Sequence, residues 1–413
     1  MRILRTGEKG GFFSLKGLLL LYAFTVPLSK SISAILMAIV ATFTVLGALK
    51  DYKRRFAPFL SDGLFWVLAI FTAIYILGLI NTEDLRRGFK VCKNISIVLG
   101  TYLVLALKFR RPEEGEELLR WFVAGVVVLD LIALGKFLGL YGGSAFKLPS
   151  AAVMNPIWFG NVSALSLYTS LLLFHRSLSG GAREALPWAL ASLVNLMGLV
   201  LSTSRGAWVA AVLVTLIIMI PLFWRVYLGK VFALLFLVGL LLFYVHPFSR
   251  AKFSRTFQDV RAFFEKGKVS SSVGARLGMW KLCYDILKDH SVFGAGTGDY
   301  IVEVKRRTEE HWAFLRRYNQ PHSIYFHSMA MHGLVGLGSL LLVFVFVIRE
   351  SLREIGEGGL RRLLGLVALA VALHYMVAGV SETVLKIHVL VTIFGMVLGC
   401  CFGHRVWRGA RDA

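Results

Sequence analysis

Two residues of this chain have a type and a setting that could do chemistry. Arg205 is the single charge in the apolar stretch between Pro187 and Trp224, within Leu201-Ser-Thr-Ser-Arg-Gly-Ala-Trp208. That stretch is about twice the roughly 20 residues that cross a bilayer, so it predicts a hairpin of two membrane helices with residues 202–206 at the turn. A guanidinium held there among three hydroxyls suits a five-donor fork that grips phosphate. An arginine snorkelling from a helix end is the plainer alternative. His322 lies in Arg316-Arg-Tyr-Asn-Gln-Pro-His-Ser-Ile-Tyr-Phe-His327, just before a long apolar run. Pro321 suits a first helical turn, which puts His322 at or just inside a helix start. The positive end of the helix dipole disfavours imidazolium, so a neutral ring able to accept a proton is expected. A neutral histidine beside phosphate-gripping arginines is a layout for glycosyl transfer. A capping or interfacial histidine is the alternative, since His246, His311, His327 and His332 show that the residue type is not rare here.

The elements that must position these residues are membrane helices. A chain of 413 residues that is 57% hydrophobic, with mean hydropathy +0.69, is excluded from the soluble globular class. Apolar runs at about 17–29, 31–49, 62–80, 89–107, 121–140, 158–174, 186–202, 206–224, 229–246, 323–348, 363–380 and 384–402 predict an all-α polytopic protein of about twelve spans. The first run lacks a small-residue cleavage site and reads as a retained helix. If the N-terminus is cytoplasmic, basic residues on that side outnumber nearly threefold those in the short loops opposite, which are Lys30, Arg86, Arg87, Lys90, Lys93, Lys147, Arg205 and Lys386. The positive-inside rule therefore puts both termini in the cytoplasm of a bacterial inner-membrane protein. Much of the net charge of +22 is topology signal and does not call for nucleic acid.

Residues 1–246 are expected to hold the first nine spans, 247–321 one large outer loop, and 322–413 the last three spans, all in one membrane domain. Loops this long are usually functional. The loop carries fourteen basic residues from Arg250 to Arg317, which fits an acidic partner or anionic lipid head groups. Leu277, Trp280, Tyr284 and Leu287 recur at helical spacing, so an amphipathic helix is expected from Arg276 to Asp289, with Gly274 before it. Gly294-Ala-Gly-Thr-Gly298 has no strand–helix unit around it and reads as a flexible turn that lets the backbone approach something closely.

Four motifs together resemble the O-antigen ligase and polymerase superfamily, most of all its O-antigen ligases: Ser202-Thr-Ser-Arg-Gly-Ala-Trp208, Gly274-Ala-Arg-Leu-Gly-Met-Trp280, Phe293-Gly-Ala-Gly-Thr-Gly298 and Asn319-Gln-Pro-His-Ser323. Their order around one large loop matches too. The resemblance implies transfer of a glycan from undecaprenyl pyrophosphate to an acceptor at the periplasmic face. In the ligases that acceptor is the lipid A–core oligosaccharide, and the product is lipopolysaccharide. It implies catalytic roles for Arg205, Arg276 and His322, with inversion at the anomeric carbon and neither metal nor nucleotide cofactor. The arginines would stabilise the pyrophosphate leaving group, and His322 would take the acceptor proton. The chain has no compact acidic cluster for a divalent ion and no zinc-type histidine spacing.

Lesser candidates for substrate binding are Lys90 and Lys93 at the outer surface, Arg317 and Asn319 flanking His322, and Asn155 in Asn155-Pro156, which also reads as a turn. Asp130 is the clearest acid deep in a span and is expected to face inward. Cys92 and Cys283 fall on the outer side, where a disulfide is permitted without being called for. The expected partners are the lipid-linked donor, the lipid acceptor and membrane lipids, with a monomeric chain. A polymerase acting on a second lipid-linked glycan is the alternative reading. A transporter is disfavoured, because no paired repeat is evident and the polar chemistry lies at the surface.

Overall fold

An apolar helix without a polar face has to be covered all round. The segment His388–Phe402 meets that demand at the centre of the structure, with every residue from 390 to 402 buried. The computed structural model describes residues 14–140, 154–223 and 247–407. The run expected at 229–246, together with Lys147 and His246, lies outside the described residues. In chain order the helices are α1 (Leu15–Thr25), α2 (Lys30–Leu49), α3 (Tyr52–Leu60), α4 (Gly63–Leu77), α5 (Leu85–Lys108), α6 (Pro112–Phe137), α7 (Pro156–Ser177), α8 (Ala182–Leu201), α9 (Arg205–Val214), α10 (Ile220–Phe223), α11 (Pro247–Lys266), α12 (Ser272–Asp289), α13 (Tyr300–Arg307), α14 (Ile324–Gly356), α15 (Gly359–Ser381) and α16 (His388–Phe402).

The chain is a multi-pass, all-α membrane protein, and among the described residues it contains no strand. Among the described residues nine helices or helix runs are long and apolar enough to cross a membrane, and α3 with α4, bent by 87° at their junction, give a tenth as one broken span. The count falls short of twelve for two reasons. One run lies outside the described residues, and the first apolar run is a helix of only 11 residues, ended ahead of Pro27. Close crossings in the body rely on small residues; a Cβ on Gly115 of α6, for example, would overlap the Cys400 carbonyl of α16. Asp130 does turn inward, accepting a hydrogen bond from Ser163 Oγ of α7 at 2.8 Å.

The long helix α14 is broken at Gly333, whose φ of 59° and ψ of −151° lie in a region open essentially to glycine alone. A break inside a membrane helix strands backbone groups that need new partners, and the loop supplies them. The carbonyls of Ala330 and Met331 accept from the amides of Ala295 and Gly296, both at 3.0 Å, while the amides of Leu334 and Val335 donate to Ser291 O and Val292 O at 2.9 and 3.2 Å. Gly294, Gly296 and Gly298 all have positive φ, and a Cβ on Gly294 would overlap the Met331 backbone. The same segment reaches the α4–α5 connection, where Thr297 N donates to Gly78 O at 3.0 Å and the Asp299 carboxylate accepts from the amides of Glu83 and Asp84 at 2.6 and 3.0 Å. The glycine-rich turn is therefore a fixed insert rather than a flexible one, and what it approaches is the protein's own backbone. Gly333→Ala drives a Cβ into the Ser291 and Val292 carbonyls. It should lower stability by about 1–3 kcal/mol or more, visible as a lower unfolding midpoint in thermal scans of the purified protein; an unchanged midpoint would show that the break is not held this way.

Helix α12 starts at Ser272, four residues before the expected Arg276, because Ser271 caps it by accepting from Gly274 N at 3.0 Å. Its buried stripe is Gly274, Ala275, Gly278, Met279, Leu282, Cys283 and Ile286, not the expected Leu277, Trp280, Tyr284 and Leu287, and Tyr284 is 53% exposed. Small residues decide this: with hydrogen at Gly278, Val269 and Leu315 sit where a Cβ would come within 2.8 and 2.9 Å. Cys92 and Cys283 are both buried and free, so the permitted disulfide is not formed.

Candidate active site at the loop face

His322 stands just outside α14. Ser323 is the cap of that helix, extended and accepting from Phe326 N, so Pro321 is not in a helical turn and His322 precedes the helix instead of opening it. Its φ is 50°, and Thr203, at 54°, is the other non-glycine residue with positive φ among the described residues. Such conformations cost about 1–3 kcal/mol each and collect at functional sites; here both fall within the recognised motifs. The segment is pinned by Trp280 of α12, whose indole donates to Pro321 O at 3.0 Å and stacks on Phe326 at 5.1 Å between centroids.

Helix α15 ends beside the start of α14 and delivers Glu382. His322 Nδ1 lies 3.0 Å from Glu382 Oε2. The carboxylate also accepts from Gln320 Nε2 at 3.3 Å and from Thr383 N at 3.1 Å, and its side chain is 6% exposed. A carboxylate facing Nδ1 fixes the tautomer with hydrogen on Nδ1 and leaves Nε2 as the acceptor. Among the described residues nothing meets Nε2. The ring is therefore readied by Glu382, not by a helix dipole, and Glu382 is the residue that sequence reasoning missed.

Arg205 is the first residue of α9. Ser202 Oγ donates to Leu199 O at 2.6 Å and accepts from Ser204 N at 3.2 Å, so the buried Ser202 shapes the turn and does not face a ligand. The turn sits against Ser381, the residue before Glu382: a Cβ on Gly206 would lie 2.8 Å from Ser381 Oγ. Arg276 comes from the first turns of α12. Burial, together with the charge of Arg205, holds its guanidinium below the usual range, against the opposing pull of Glu382 and Tyr318, and Tyr318 in turn packs edge-on against His322 at 5.8 Å. Arg205, Arg276 and His322 are thus brought together around Glu382. Among the described residues neither arginine forms an ion pair, and the buried Nε of Arg276 has no hydrogen-bond partner. Two neighbouring guanidiniums without an ion pair have the donors that an anion would need.

The remaining candidates separate. Arg317 folds back on its own turn, stacked 3.5 Å over Phe314 and donating to Phe314 O. Asn319 accepts from Lys386 Nζ through its carbonyl at 2.6 Å and its side chain at 3.4 Å, so it positions a lysine. Lys90 is an electrostatic neighbour of Lys386, whereas Lys93 is one of His388. Asn155 caps α7 by accepting from Ile157 N at 2.9 Å. Among the described residues no group of three metal-binding side chains occurs.

Burial first, then the charges of Lys90 and Arg87, lower the pKa of Lys386 to about 8. The ammonium is charged at pH 7 and is lost as pH rises past about 8. The unfolded chain holds this proton more tightly, so the contribution of Lys386 to stability should become more favourable as pH rises from about 8 toward the ordinary lysine value; Lys386→Met should remove that rise in thermal scans of the purified protein, and an equal rise in both chains would rule the effect out.

Residues 190–341 match the family model for O-antigen ligase, a span that contains all four motifs. An uncharacterized protein of Haemophilus influenzae is 22% identical over 281 residues, covering 66% of this chain and 68% of that protein. The resemblance read from the motifs is borne out over that span.

Proposed function

We propose that the chain transfers a glycan from undecaprenyl pyrophosphate to a hydroxyl of the lipid A–core oligosaccharide, at the periplasmic face of the inner membrane with both termini cytoplasmic. The observation that carries this reading is the His322–Glu382 pair standing beside two arginines without anions. His322 Nε2 takes the acceptor hydroxyl proton while Nδ1–H stays bonded to Glu382. The acceptor oxygen forms its bond to the anomeric carbon as the bond from that carbon to the pyrophosphate oxygen breaks. The electron pair leaves on the pyrophosphate, where Arg205 and Arg276 meet the growing charge, so they stabilise the transition state more than the ground state. Attack from the side opposite the leaving group inverts the carbon. The basic bias of the far-side connections supports the orientation.

Complementation tests the acceptor. Expressed in a Gram-negative strain lacking its O-antigen ligase, the chain should restore the O-antigen ladder on lipopolysaccharide gels. Rescue of a polymerase-deficient strain in its place would move the acceptor to a second lipid-linked glycan and leave the donor chemistry intact.

A further inference from the structure

The turn that carries His322 is held residue by residue. Pro321 O accepts from the Trp280 indole at 3.0 Å, and Gln320 Nε2 and His322 Nδ1 both meet the Glu382 carboxylate, at 3.3 and 3.0 Å. Asn319 is tied separately: its carbonyl and its side-chain oxygen both accept from Lys386 Nζ, at 2.6 and 3.4 Å. Of the two ends of that contact, the lysine is the fixed one. Its own carbonyl accepts from Asn94 Nδ2 of α5 at 3.1 Å, its amide donates to Thr383 O at 2.9 Å, and its neighbours Val384 and Leu385 are buried. Asn319 is exposed and stands just ahead of a histidine whose φ is 50°. A strained residue persists only while its surroundings over-determine it. An ammonium bonded to two oxygens of one residue serves that end, because charge-assisted hydrogen bonds are roughly twice as strong as neutral ones.

We propose that Lys386 is a positioning residue: its ammonium latches Asn319 to the connection between α15 and α16 and so keeps the His322 ring in line between Glu382 and the acceptor hydroxyl. The same connection delivers Glu382, so it grips the turn at two points, one on the histidine itself and one just before it. The part the latch plays in turnover rests on the proposed function, while the latch itself does not. The groups that face Lys386 are Lys90 and Arg87 of α5, Glu382 just past α15 and His327 of α14, and Arg87 is itself paired with Asp84. Asn94 and Thr383 stand beside it without charge. Burial, together with two cations against one carboxylate, eases the loss of the lysine proton, so the latch weakens as pH rises past about 8.

The full chain in phosphatidylcholine nanodiscs is treated with trypsin, and cleavage after the exposed Arg317, close before Asn319, is followed by mass spectrometry beside cleavage after Lys266 in the same loop. Local opening of the turn governs the first of these. Lys386→Met should raise it at least about tenfold and leave cleavage after Lys266 unchanged, which a general loss of structure would not do. Lys386→Arg keeps the charge and the donors and should be cut within about threefold of the wild-type rate. Wild type shows the same latch without any substitution: as pH rises through about 8, cleavage after Arg317, normalised to that of a free peptide, should rise several-fold, whereas Lys386→Arg stays flat. In the transfer assay Lys386→Met should lower kcat about tenfold or more with the donor KM within about twofold of wild type, because the lysine meets the turn and not the pyrophosphate. Cleavage after Arg317 that is unchanged in Lys386→Met and flat with pH in wild type overturns the latch. So does a donor KM raised about tenfold at unchanged cleavage, which would make Lys386 a ligand of the donor. A wild type without transfer activity whose turn still loosens in Lys386→Met would sink the proposed function and leave the latch standing.

Discussion

His322→Ala should lower the turnover of glycan transfer about 10²–10⁴-fold, the usual contribution of a positioned general base, with the donor KM close to wild type because the ring meets the acceptor and not the pyrophosphate. Glu382→Gln should reproduce part of the loss. The amide preserves the shape of the contact but can present its NH₂ to Nδ1, which favours the tautomer with hydrogen on Nε2 and so removes the acceptor. The split of parameters separates positioning from mere support of the fold: a Glu382→Gln chain with lower kcat, unchanged KM and unchanged melting carries a mispositioned base. If His322→Ala transfers glycan at wild-type rate at equal membrane abundance, the assignment of the base is wrong.

Arg276→Ala should cost about 10²–10³-fold in kcat, the scale set by removing one preorganised donor from a developing anion. Its guanidinium is half-buried with an unmet Nε, so it is already oriented for a charge that arrives with the substrate. Arg205, which is exposed, should lose less and show the loss mainly in KM. The two are close enough for their charges to interact, so the double substitution should fall short of the product of the single effects. A simple rise in KM at constant kcat in both variants would make them binders of the ground state only.

Arg205, Arg276 and His322 were legible because each sits in a short motif whose residues stay near one another along the chain. Glu382 was not, since it lies 60 residues from His322 and its pairing depends on α14 starting where α15 ends. One signal was available: between residues 363 and 402 it is the sole acid in an otherwise apolar run, and an acid in such a place is a functional candidate by default. The helix α12 was legible in existence but not in face, because its large apolar residues drew attention while its small ones made the close contacts. The break in α14 was visible only as Gly333 among several glycines, and nothing local in the sequence says that residues 291–298 complete it.

That splice has a mechanical consequence. Because the insert is bonded at once to both halves of α14 and to the α4–α5 connection, the loop cannot lift from the membrane body as a lid without leaving polar backbone bare at the edge of the hydrocarbon. The segment 247–321, cut out and made alone, would lose the partners that give it shape. The loop is a keystone of the membrane body, not an ornament on it.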